Sequence, residues 1–310
     1  MFALARNMSA NMARILLYHN FSTFGESNSE EVNVKAARIQ LEYLRRHFHI
    51  IPLSRLVEQL RSGEPVQRHT VVLTIDDGRR NCYELFFPLL KEFGMPATFF
   101  VVSSFVRNED WVWTDKVLWL SEHPLRVREL APDRIERTFE ALNKMRPEPR
   151  AARIENIASR MEVSIPKSPP RKYAPCSWDE LREMADSGFV EVGSHSVTHS
   201  TLASLTDGES WQELTVSRAQ IEEGLGREVK SFCFPNGKHS DYRSDHLRQA
   251  REAGYTAALV ARYGLVDNKT NPYELPRIGV SGKSDDLSFS KYLDGAEFYQ
   301  GRLTGSLAGR

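Results

Sequence analysis

The stretch Thr70-Val71-Val72-Leu73-Thr74-Ile75-Asp76-Asp77-Gly78 decides how the chain is read. It opens as a short apolar run, which predicts a buried strand. It ends in two adjacent carboxylates with no basic residue before Arg79. Side by side these acids repel each other, and successive strand side chains point to opposite faces. The pair therefore has two different jobs. One acid binds a cation, and the other stays free as a base whose charge the nearby metal tolerates. Read alone, the same residues are a strand end followed by an Asp-Gly turn. The rest of the chain decides between the two.

Working outward, Arg14-Ile15-Leu16-Leu17-Tyr18 reads as a first buried strand ended by His19-Asn20-Phe21. An amphipathic helix is expected from about Ser29 to His47, a second from Ser54 to Leu60, and a third from Arg79 to Phe93 stopped by Gly94. Ala97 to Val102 is nearly all apolar, as in a parallel strand covered on both faces. From about 107 to 172 the chain turns rich in Arg, Glu and Pro and reads as a mostly helical insertion over one end of a barrel. Trp111, Trp113 and Trp119 cluster at its start, either as packing or as a stacking platform for a sugar ring. Regularity resumes at Ser177, an N-cap with Glu180 at the capping-box position. Strands Phe189–Gly193, Ser231–Phe234, Thr256–Val260 and Leu275–Val280 follow, alternating with helices at 207–225 and 243–253. A short helix is expected in the tail after Leu287. The alternation implies an α/β fold with parallel strands.

Composition narrows the function classes. At 310 residues the chain can bury a large core, and 41% apolar with 26% charged residues is ordinary for a globular protein. Lys plus Arg equals Asp plus Glu at 41 each, which argues against a dedicated nucleic-acid binder. Cys82, Cys176 and Cys233 are sparse and show no Cys-x-x-Cys spacing, so a reducing compartment and no cysteine-built metal site are expected. Residues 1–12 hold no apolar stretch of signal-peptide length and no window approaches a membrane span. The expectation is a cytoplasmic protein with no transmembrane segment; peripheral membrane contact through the insertion stays open.

His195 and His199 are spaced i, i+4, and if that segment turns helically both imidazoles share one face. Two histidines and a carboxylate suit zinc, with cobalt, nickel, iron or manganese as alternatives, and leave a coordination position for water. Polar groups at four strand ends, His19, Asp76-Asp77, His195 with His199, and Pro235-Asn236-Gly237, converge on one face if the strands form a parallel barrel.

These motifs together resemble a polysaccharide deacetylase of the NodB-homology class, carbohydrate esterase family 4. Thr74-Ile75-Asp76-Asp77-Gly78 resembles the family's Thr-Phe-Asp-Asp-Gly, Ser194-His195-Ser196-Val197-Thr198-His199 its Ser/Thr-His-x-x-x-His, and Phe234-Pro235-Asn236-Gly237 its Pro-Tyr-Gly-like turn. The likeness covers about 14–105 and 177–282. It implies a distorted (β/α) barrel as one domain over 14–282, with the insertion at 107–172 and a tail at 283–310.

The resemblance assigns Asp77, His195 and His199 to the metal and Asp76 as the base. The backbone N–H of Asn236, beside Pro235, helps hold the oxyanion. The family's acid histidine normally lies near the C-terminus, but the last histidine here is His246. Ile15-Leu16-Leu17-Tyr18-His19 resembles the circularly permuted branch, which includes biofilm poly-N-acetylglucosamine deacetylases and carries that acid on its first strand. His19 is therefore assigned as acid, with His239 as its rival. Many members brace the base with an arginine where this chain has Cys233, so Arg277 is the candidate replacement. Trp111 and Trp113 are assigned to the sugar. The implied activity is metal-dependent removal of N-acetyl groups from a sugar, oligosaccharide or lipid-linked glycan precursor. The alternatives are a same-fold hydrolase of another C–N amide, such as an N-formyl sugar or a ureide, and a non-catalytic glycan-binding homologue.

Overall fold

The structure is a computed structural model, and it describes residues 9–23, 31–282, 289–290 and 293. The main sheet contains β1 (Arg14–Tyr18), β4 (His49–Ile50), β5 (Thr70–Ile75), β6 (Ala97–Val101), β7 (Val190–Ser194), β8 (Ser231–Cys233), β9 (Ala257–Leu259) and β10 (Ile278–Gly279). A separate small ribbon pairs β2 (Asn20–Ser22) with β3 (Glu31–Asn33). The spatial order is β10-β1-β5-β6-β7-β8-β9, with β4 beside the start of β5, and every named pairing is parallel.

The sheet curls until its two edges share one segment. Leu275 bonds to β9 through Ala258 and Val260, and Val280 bonds to Leu17 of β1. The fold is thus an α/β curled parallel sheet, bridged into a distorted barrel by its last strand segment.

Alternation along β5 sorts its side chains into two layers. Val71, Leu73 and Ile75 join Leu16 and Tyr18 in the outer core beneath the helices. Val72 joins Ile15, Phe100, Cys233 and Leu259 in an inner core. Asp76 continues the inner set, after Thr74. All six residues of β5 are buried.

Three helical expectations are revised. The first helix begins at Val34, because Asn33 caps it through a bond from the Lys35 N–H (2.9 Å) and Glu31–Asn33 extends as a strand; Ser29 lies outside the described residues. The helix expected from Arg79 is a wide turn over Cys82–Phe86 followed by an α-helix over Phe87–Phe93. Pro88 has no N–H to continue a regular ladder, and the preceding turn relaxes to i→i+5 bonding, with Phe87 N–H on the Cys82 carbonyl. The second helix spans Leu53–Ser62 and opens at Pro52 rather than Ser54. The Ser177–Glu180 capping box is present. Between 107 and 172 the chain forms helices Trp113–Glu122, Ile135–Asn143 and Pro147–Arg160, which share a small core of their own around Val117, Leu130 and Ile157. The tail helix expected after Leu287 falls mostly outside the described residues.

Gly78 turns the chain at the end of β5 with φ +82°, and a Cβ there would sit 2.9 Å from Val101 Cγ1. Gly78→Ala should therefore cost about 1–3 kcal/mol from strain and overpacking. Urea unfolding measures this, and an unchanged midpoint would refute the tight-turn account.

Candidate active site

The C-terminal ends of the strands open into a cleft of about 480 Å³. His19, Asp76, Asp77, His195, His199, Asn236 and Arg277 all line it. The insertion supplies the facing wall with Trp113, Leu118, Glu136, Phe139, Glu140 and Asn143.

Asp76 and Asp77 reach this one cleft although they follow the strand alternation. The reason is local: Asp77 has φ +75°, so the left-handed turn swings its side chain back toward the inner face. Each acid then meets its own guanidinium. Arg277 grips Asp76 with both arms, Nη1 to Oδ1 and Nη2 to Oδ2 at 2.8 Å each, while also donating to Thr74 Oγ1 at 3.2 Å. Arg79 Nη1 lies 2.7 Å from Asp77 Oδ2. Burial is the largest influence and pushes both carboxyls up. The surrounding positive groups, led by Arg277 at Asp76 and Arg79 at Asp77 with the cleft histidines behind them, together outweigh it, and both acids are held below the usual carboxylate range.

The histidine segment is not helical, which corrects the i, i+4 argument. Ser196 and His199 both have left-handed backbones, with φ 68° and 55°. The loop is shaped by Glu213 of the helix Asp207–Leu225, whose carboxylate accepts from the Val197 N–H (2.7 Å), the Thr198 N–H (3.0 Å) and the Thr198 hydroxyl (2.6 Å). The imidazoles still meet, with ring centroids 4.8 Å apart.

The donor set fits a divalent cation. His195 Nδ1 lies 2.8 Å from the Cys233 carbonyl oxygen, which only accepts, so in the neutral ring Nδ1 carries the proton and Nε2 keeps a lone pair. Nε2 of His195 and of His199 lie 3.6 and 3.4 Å from Asp77 Oδ1. Burial lowers His199 to about 3, so its ring is neutral too. One donor atom from each of Asp77, His195 and His199 falls within 4.8 Å of the others. The His195 Nε2 electron pair and Asp77 Oδ1 face each other in a dry pocket, a donor arrangement that suits a divalent cation.

The remaining expected residues separate into two groups. Asn236 sits on the cleft wall with φ 59°, its amide donating to Asn143 Oδ1 (2.8 Å) and Thr201 Oγ1 (3.3 Å). Trp113 borders the cleft, donates from Nε1 to the His199 carbonyl (3.0 Å), and has Arg150 over its ring at 4.8 Å. Trp111 does not line the cleft; it packs against Trp119 and Tyr173 and donates to the Pro166 carbonyl, so its sugar-stacking role is corrected to core packing. Pro235 is buried behind the turn and shapes it rather than facing the cleft. His239, the rival acid, is exposed and off the cleft wall. Cys233 packs its thiol against Arg277 Nη2 at 2.9 Å, and burial keeps that thiol protonated.

Sequence reasoning missed Arg79 as a partner of Asp77, and missed Asp115, Glu213 and Asn143. Arg79 had a signal, being the first cation after the acid pair. The other three are ordinary polar residues on helices, and only the fold brings them to the site.

A curled parallel sheet with an Asp pair and two histidines at its strand ends defines the NodB-type class of carbohydrate deacetylases. The chain belongs to the polysaccharide deacetylase family, whose model matches residues 63–258. It is 20% identical over 282 residues to YxkH of Bacillus subtilis (strain 168), named for the same family, covering 90% of this chain and 75% of that one. It is 36% identical to the poly-β-1,6-N-acetyl-D-glucosamine N-deacetylase of Escherichia coli (strain K12) over 76 residues, 24% of this chain and 11% of that protein. In fold it is similar to the Streptococcus pyogenes deacetylase PplD, with TM-score 0.63 and 15% identity, covering 92% of this chain and 99% of that one. His19 and Arg277 lie outside the family-matched residues.

Arg277→Met leaves Asp76 buried without its cation, and breaking such a pair should cost about 3–5 kcal/mol at neutral pH. In the parent, a carboxylate held below its unfolded value stabilises the fold above that value and loses the contribution as pH falls through the folded one. In the variant burial loses its main opposing charge, so the Asp76 carboxyl rises and its penalty is relieved on acidification. The stability gap between the two proteins should therefore shrink as pH falls, and a pH-independent gap in urea titrations would contradict the pairing.

Proposed function

We propose that the protein is a metal-dependent N-deacetylase of amino sugars, acting on an N-acetylated sugar within an oligosaccharide or lipid-linked glycan precursor. The observation that carries the reading is convergence. Asp76, Asp77, His195, His199, His19 and Arg277 come from four separate stretches of chain and line one cleft. The E. coli relative's named substrate, poly-β-1,6-N-acetyl-D-glucosamine, supports the sugar class.

Asp77, His195 and His199 are the residues that hold the cation. When bound, a divalent metal supplies Lewis acidity toward the acetamide carbonyl and lowers the pKa of water. Asp76 accepts the proton of the attacking water, and the Arg277 fork keeps its carboxylate ionised and fixed in direction. The backbone N–H of Asn236 steadies the developing oxyanion, its turn being clamped by Asn143. His19 gives a proton to the departing nitrogen, leaving acetate and a free amine. The bidentate Arg277–Asp76 pair supplies the brace that Cys233 cannot, which weakens the non-catalytic reading.

Zn²⁺- or Co²⁺-loaded protein should release acetate from N-acetylglucosamine oligomers, with one free amine per acetate. Asp76→Asn and His19→Ala should each lower kcat roughly 10²–10⁴-fold. Release of formate or ammonia in place of acetate would favour another C–N amide as substrate. Full kcat in His19→Ala would remove His19 from the acid role.

A further inference from the structure

Arg79 follows the Asp-Asp-Gly motif and is only 4% exposed, wedged between two carboxylates. On one side its Nη1 holds Asp77 Oδ2 at 2.7 Å. On the other, Nε donates to Asp115 Oδ2 at 3.1 Å and Nη2 to Oδ1 at 2.5 Å. Asp115 is fully buried and lies in the first turn of the helix Trp113–Glu122, inside the insertion. The fork between Arg79 and Asp115 is the bidentate geometry that fixes a guanidinium in direction as well as in place.

The consequence falls on Asp77. One of its oxygens, Oδ2, is taken by Arg79, while Oδ1 alone faces the two imidazoles, at 3.6 Å from His195 and 3.4 Å from His199. Without Asp115, two of the guanidinium nitrogens lose their acceptor inside a dry pocket. The nearest remaining carboxylate is Asp77, and a guanidinium free to rotate closes on both of its oxygens. The pocket also becomes one unit more positive beside a site built for a cation.

We propose that Asp115 is a positioning residue for the cation site: by holding Arg79 in a fork, it confines that guanidinium to one oxygen of Asp77 and leaves the other for a divalent metal. The insertion thereby sets the metal affinity of the barrel. This rests on the reading of Asp77, His195 and His199 as cation ligands.

The test is a Co²⁺ titration of the full chain against a chromophoric chelator, with the visible absorption of the Co²⁺ form recorded alongside. Asp115→Asn should bind Co²⁺ roughly 10–100-fold more weakly and with an altered spectrum, as outer-shell losses do. Asp115→Glu, which keeps the charge, should recover part of the loss. Arg79→Met added to Asp115→Asn should weaken binding by less than the sum of the single changes, because the aspartate acts through the arginine. A folded Asp115→Asn protein with parental affinity and spectrum would overturn the proposal, as would strictly additive effects. Should Asp115→Asn fail to fold, Asp115→Glu carries the same test, since it keeps the charge but displaces the fork, and wholly parental affinity and spectrum there are equally fatal. A parent that takes up no Co²⁺ would overturn the cation-site reading and this proposal together. A parent that binds while its variants match it would overturn the proposal alone.

Discussion

Two carboxylates can stand next to each other in a dry cleft only if each has its own cation. At about 4 Å in a medium of effective dielectric 20, two like charges repel by roughly 4 kcal/mol. Arg277 answers Asp76 and Arg79 answers Asp77, and both guanidinia are buried. The rest of the architecture serves this double pairing. The bridged sheet edge delivers Arg277, the left-handed turn at Asp77 aims the second acid, and the insertion anchors Arg79 from behind.

The two pairs divide the labour. Arg277 engages both oxygens of Asp76, which leaves that carboxylate fixed and ionised but with no free direction toward the imidazoles shorter than 3.8 Å. Arg79 engages a single oxygen of Asp77, so the other stays open. Identical side chains one residue apart thus acquire different chemistry from the way a guanidinium meets each of them, not from any difference in burial.

The sequence carried what is local. A short unbroken apolar run made β5 legible, and the spelling of Asp76-Asp77-Gly78 and of His195 and His199 marked two strand ends. Arg277 became a candidate because Cys233 left the base without a brace. What stayed hidden depends on backbone handedness or on distance along the chain. An i, i+4 histidine pair looks helical in one dimension, yet Ser196 and His199 bring the rings together through left-handed turns. Asp115 lies 36 residues from Arg79 inside a charge-rich stretch with no periodic signal. Trp111 and Trp113 are two residues apart, spell alike and are both buried, Trp111 against Trp119 and Tyr173 and Trp113 in the insertion's own core, yet of the two Trp113 alone also borders the cleft.

The bridging of the sheet edges by Leu275–Val280 bears on how the molecule comes into being. Asp76 leaves the ribosome 201 residues ahead of the arginine that neutralises it. Until that late segment arrives, β1 and β9 each keep an open edge, and an unanswered acid sits in what will become the interior. Biosynthesis of the barrel is therefore committed by its final latch, and a nascent chain stalled short of it would expose sheet edges to chaperones or to other chains.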